Sequence, residues 1–149
     1  MALRDDMILL QAFPVFAAME PEALQLVAFS AETRFLRSND KLFRRGEPAD
    51  AAYIITSGRM LVATPGGEPI TAIRGAMIGE TALFTETEYH GTALAQETTS
   101  LMRIPRMVMR RVLEEFPDTA VAILKILRSR AETLHHDLQR VSLTVDNIG

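Results

Sequence analysis

Three textures of apolar and polar positions follow one another along the chain. In the first 30 residues Met7, Leu9, Leu10, Phe13 and Phe16 cluster, and "MEPEALQLVAF" sets Leu24, Val27 and Ala28 at helical spacing. Pro21 suits the first turn of that second helix, where its missing N–H has no intrahelical partner to lose. From Thr33 to Ile104 short β-prone runs alternate with turn chemistry. "TRFL" gives way to Ser38-Asn39-Asp40, "KLF" to Arg45-Gly46-Glu47-Pro48, and "AAYIIT" to Ser57-Gly58. "RMLVAT" then leads to Pro65-Gly66-Gly67, and "PITAI" to Arg74-Gly75. Short strands broken so regularly predict an all-β sandwich, barrel or jelly roll. Gly46 and Gly58 are expected to form turns.

Helix returns after Ile104. Pro105 suits a first helical position, and Met107, Val108, Val112 and Leu113 give one apolar face before Phe116-Pro117-Asp118 interrupts. The Arg cluster in "RIPRMVMRR" is expected on the wet face of that helix. A last helix is predicted from about Asp118 to about Val141. Along it Ala120, Leu124, Leu127, Ala131, Leu134, Leu138, Val141 and Val145 are spaced alternately by four and three, a seam suited to packing two helices side by side. Ile123 and Ile126 lie off that seam, placed to dock the helix on its own domain. The expected organisation is one domain over residues 1–149: helical 1–30, β 33–104 and C-terminal helices 105–141. The class is mainly β with flanking helices.

Composition narrows the chemistry. Hydrophobic content of 48% and charged content of 23% are ordinary for a soluble globular protein, and a net charge of −3 supplies no overall attraction to nucleic acid or acidic membranes. With no Cys there are no disulfides, Cys-based zinc sites or thiol nucleophiles, which fits a reducing cytoplasm. The opening "MALRDDMILLQAF" does not have the form of a signal peptide, and no run approaches the roughly 20 apolar residues of a membrane span. His90 is the one histidine of the β region, and the adjacent His135 and His136 point in different directions on a helix with no third ligand near. Neither a metal site nor a catalytic set is expected, and the chain is read as a non-enzyme.

The stretch "GETALFTETEYHGTALA", Gly79 to Ala95, carries the most specific chemistry. A glycine, a carboxylate, a short helical turn and an extended segment have the layout of an anion cradle. Between Gly75 and Met102, however, there is no Lys or Arg, while Glu80, Glu86, Glu88 and Glu97 all fall inside.

Here the chain resembles the cyclic-nucleotide-binding domain, the module of catabolite-activator-type transcription factors, cyclic-nucleotide-dependent kinases and gated channels. The likeness runs roughly from Leu9 to Leu138. It rests on "LFRRGEPADAAYIITSGRMLV", on "GAMIGETAL" and on the closing helices, in that order. The resemblance implies a jelly-roll β-roll (a double-stranded β-helix) flanked by helices, with ligand under a short phosphate-binding cassette. It implies that Gly79 lets the backbone approach the ligand and that Glu80 accepts from a ribose 2′-hydroxyl. The N–H groups of Thr81, Ala82 and Leu83 would face the cyclic phosphate. Counted without a gap, the family's phosphate-clamping arginine falls on Tyr89, followed by His90 and Gly91, with Thr92 opening the next strand. The expected ligand set is therefore Gly79, Glu80, Thr81, Ala82, Leu83, Tyr89, His90 and Thr92, without the cation, so that cAMP or cGMP would bind weakly. Arg59 and Arg74 are the candidates to replace that cation.

The family commonly pairs through its last helix, so the resemblance also implies a homodimer through Leu124, Leu127, Ala131, Leu134 and Leu138. In the transcription-factor branch a helix-turn-helix follows, whereas only "SLTVDNIG" follows here. No direct contact with nucleic acid or membrane is expected, and the output would pass to an effector protein. The expectation is a regulatory ligand-sensing module, with a degenerate dimerisation or adaptor scaffold as the alternative. An enzyme on the related cupin-type roll is set aside because that chemistry needs a histidine cluster.

Overall fold

The computed structural model describes residues 2–148, with side chains from 3 to 133. Three helices come first: α1 (Ala2–Leu10), α2 (Pro14–Ala17) and α3 (Pro21–Ser30). Pro14 and Pro21 each open a helix, as the fixed φ of proline allows. The β region holds β1 (Glu32–Leu36), β2 (Lys41–Phe43), β3 (Pro48–Ala49), β4 (Ala51–Ser57), β5 (Arg59–Ala63), β6 (Ile70–Ile73) and β7 (Met77–Ile78). A 3₁₀ turn (Glu80–Leu83) follows, then β8 (Thr87–Glu88), β9 (Thr92–Ala95) and β10 (Thr99–Pro105). The chain closes with α4 (Arg106–Glu115) and α5 (Pro117–Ile148).

The strands form two four-stranded sheets, β1-β10-β4-β7 and β2-β9-β5-β6, with β3 and β8 paired separately. All pairings are antiparallel, and the order of non-consecutive neighbours is that of a jelly roll. β4 shows how the sequence sets the layers. Its run Ala51-Ala52-Tyr53-Ile54-Ile55 is buried throughout because its two faces meet different cores. Ala51, Tyr53 and Ile55 face into the roll, while Ala52 and Ile54 pack against the helices. The helical layer contributes Leu10, Phe16, Leu24, Met109, Val112 and Ile123 to that second core.

Gly58 is the tightest of the predicted turns. Its φ is +94°, and a Cβ there would sit 2.5 Å from the Thr98 carbonyl oxygen, so no other residue fits without backbone movement.

Five expectations change in detail. Pro105 ends β10 and precedes α4, so the helix starts one residue later. On α4 the buried residues are Met109 and Val112, whereas Met107 is 79% exposed. Arg106 does not lie on a wet face, since its Nη1 donates to the carbonyl oxygens of Ala49 (2.9 Å), Thr85 (3.1 Å) and Ala82 (3.4 Å). On α5 the expected seam divides: Leu124 is 55% exposed and Ala131 is exposed, but Leu127 packs partly on the chain's own core. Ile123 and Ile126 dock the helix there as well. The α5 backbone runs on to Ile148, beyond the expected Val141, and the side chains of Leu134, Leu138, His135 and His136 lie outside the described residues. Among the described residues no helix is long and apolar enough to cross a membrane.

Candidate functional site

The mouth of the roll holds a cavity of about 250 Å³ between β2, β5, the 3₁₀ turn and the segment from Thr87 to Gly91. Phe43, Val62, Ile78 and Ala82 give it apolar walls, and Gly79, Glu80, Thr81, Tyr89 and His90 also line it. Of the expected ligand set, six residues therefore meet there. The other two go elsewhere. Leu83 is fully buried in the helical core, one residue beyond Ala82, which belongs to the core of the roll. Thr92 faces away, and its Oγ1 accepts from the Arg45 backbone N–H at 3.1 Å. The 3₁₀ turn thus straddles both cores because its consecutive side chains point to opposite layers.

Tyr89, on which the expected arginine position falls, is buried. Its ring stacks on Phe43, with centroids 3.7 Å apart and planes 6° from parallel. Its hydroxyl donates to the Ala51 carbonyl oxygen at 2.9 Å. Burial, with Tyr53 and Asp50 nearby, pushes the phenol well above its ordinary range, so it stays a neutral donor already engaged within the protein. The backbone fixes it further: Tyr89 N–H donates to Glu47 O (3.0 Å), and Tyr89 O accepts from Gly46 N–H (2.9 Å).

Gly79 has φ +79°, the left-handed conformation that glycine adopts without strain. It is also packed from the side: a Cβ there would lie 3.2 Å from the Tyr89 ring edge and 3.4 Å from Ala51 O. The amide of Ala82, one of the expected anion donors, bonds to the Gly79 carbonyl at 3.0 Å.

Glu80, the expected ribose acceptor, has a partner that no local pattern announces. Its Oε1 accepts from Nη1 of Arg130, fifty residues on in α5. Arg130 does not line the cavity, and neither do Arg59 and Arg74, both of which are exposed. Among the described residues the cavity wall contains no Lys or Arg, while Glu80 and the exposed Glu88 are both among its lining residues. The arrangement can hold an apolar ring and offer an acceptor at Glu80, and it meets a phosphate with no lining cation.

Comparison with known proteins agrees with this architecture. The model of the family described as "Cyclic nucleotide-binding domain" matches residues 33–116. A cyclic nucleotide-binding-like protein from Brucella abortus is 38% identical, with a TM-score of 0.65 over 74% of this chain and 98% of that one. The sensor domain of the transcriptional regulator DNR from Pseudomonas aeruginosa is 29% identical, with a TM-score of 0.72 over 92% of this chain and 93% of that one. Lysophospholipase nte1 of Neurospora crassa is 30% identical over 133 residues, which are 86% of this chain but 9% of that protein. The chain spans less than a tenth of that relative's length, so the likeness concerns one small part of a much longer protein. With a family match from the first strand through α4 and a jelly roll that closes over a cavity beside Gly79 and Glu80, the chain belongs to the cyclic nucleotide-binding domain family.

Proposed function

We propose that this chain is a regulatory, non-catalytic sensing module whose cavity binds a cyclic nucleotide weakly and whose last helix pairs two copies. One observation carries the reading: the residue at the expected arginine position is a phenol whose hydroxyl already donates to the Ala51 carbonyl oxygen. A charge-assisted hydrogen bond to a phosphate contributes about 1.5–3 kcal/mol. Its loss corresponds to roughly 10- to 100-fold in affinity. The sensor domains among the structural neighbours support a regulatory role. Pairing is supported by Leu124, a large apolar side chain left exposed on α5 together with Val121.

A second reading has its own support. Glu80 is already held by Arg130, as in a module that no longer takes a nucleotide and acts as a dimerisation scaffold. Calorimetric titration of the purified chain with cAMP and cGMP separates them. Saturable heat at tens to hundreds of micromolar supports the weak sensor, and no heat at millimolar ligand supports the scaffold. Submicromolar binding contradicts both.

A further inference from the structure

Two features of the molecule meet at one carboxylate. Glu80 is part of the cavity wall, and it is also the anchor that Arg130 of α5 holds. The pair is half in water, with side chains 43% (Arg130) and 28% (Glu80) exposed, so another donor can replace the guanidinium at small cost. The remaining ionisable groups at the cavity are Glu88, His90 and the engaged phenol of Tyr89. An anionic occupant would meet the Glu80 carboxylate, with Glu88 at the rim and no cation in the lining. Drawing Arg130 inward to meet it would leave Glu80 unpaired next to a second negative charge. An uncharged or cationic occupant has the opposite experience: apolar walls at Phe43, Val62 and Ile78 for its ring, and an acceptor at Glu80 for a hydroxyl or amine.

We propose that the cavity takes a small ring-bearing molecule without negative charge, which donates to Glu80, displaces Arg130 and so loosens α5 around that residue as the cavity fills. This rests on the sensing-module reading and specifies both its ligand class and its output.

Adenosine and cyclic AMP are suitable probes, since they share a purine and a ribose 2′-hydroxyl and differ in the anionic cyclic phosphate. Both are titrated into the full chain and into Arg130→Gln and Glu80→Gln, with hydrogen exchange followed along α5. Adenosine is expected to bind at least tenfold more tightly than cyclic AMP and to speed exchange in α5. Arg130→Gln should tighten adenosine about two- to fivefold by removing the competitor. Glu80→Gln, which keeps the shape and loses the charge, should weaken adenosine severalfold.

Tighter binding of cyclic AMP than of adenosine overturns the proposal, and its loss in Arg130→Gln would make Arg130 the phosphate cation instead. Adenosine binding indifferent to both substitutions overturns it as well. If cyclic AMP binds the parent chain at tens to hundreds of micromolar while adenosine does not, this inference fails and the sensing-module reading stands. If neither probe binds the parent chain at millimolar concentration, both fail.

Discussion

Tyr89 and Ala51 are joined by a buried hydrogen bond of 2.9 Å, from the phenol to a backbone carbonyl at the start of β4. The residue on which the expected phosphate-clamping position falls is a structural tie. Tyr89→Phe keeps the stack on Phe43 and strands the Ala51 carbonyl, which should lower stability by about 1–2 kcal/mol in a denaturant melt. The tie also has a pH signature. The folded phenol titrates above the unfolded one, so its stabilisation is complete below about pH 10, the ordinary tyrosine value, and is lost progressively above it. Stability measured through pH 10 to 11 should therefore fall less steeply in Tyr89→Phe than in the parent.

Gly79 answers to the same ring. In Gly79→Ala the residue would have to hold a φ of +79° and its methyl would press on the edge of a tyrosine ring already stacked on Phe43. The expected loss is about 1–3 kcal/mol, seen as a lower thermal midpoint. A midpoint equal to the parent's would show that the ring yields.

Arg106 ties the start of α4 to the 3₁₀ turn and to the end of β3 through three carbonyl oxygens. Replacing it by Gln should cost about 1–3 kcal/mol and speed hydrogen exchange between residues 82 and 85, with the β4 amides little affected. Uniform acceleration across the roll would contradict this local role.

Leu124→Glu tests the pairing face. The side chain is exposed in the single chain, so folding stability should change by no more than about 0.5 kcal/mol. Light scattering should report the loss of a dimer. A parent chain that runs as a monomer at every concentration would remove the pairing from the account.

Much of the fold was legible because local pattern and layer agree. In β4 the unbroken apolar run announces a strand buried on both faces, and the glycine turns fall where the φ values require them. The limits are equally physical. Helical spacing alone could not tell which face of α4 turns inward, because Met107 and Met109 are the same residue type and only the helical layer selects between them. It could not divide the α5 seam, since Leu124 and Leu127 look alike until the roll covers one of them. At the site, the glycine, the glutamate and the vacant arginine position were visible in one short segment. Phe43 beneath Tyr89 and Arg130 upon Glu80 were not, because each comes from an element dozens of residues away and neither carries a local signature.

The central claim is that the cavity is a nucleotide socket without its phosphate clamp. Calorimetry of cyclic AMP binding to Tyr89→Arg, beside the parent and with folding checked by circular dichroism, tests it most directly. The account predicts at least a tenfold gain in affinity from the restored guanidinium. A parent that already binds cyclic AMP as tightly as the variant would contradict it.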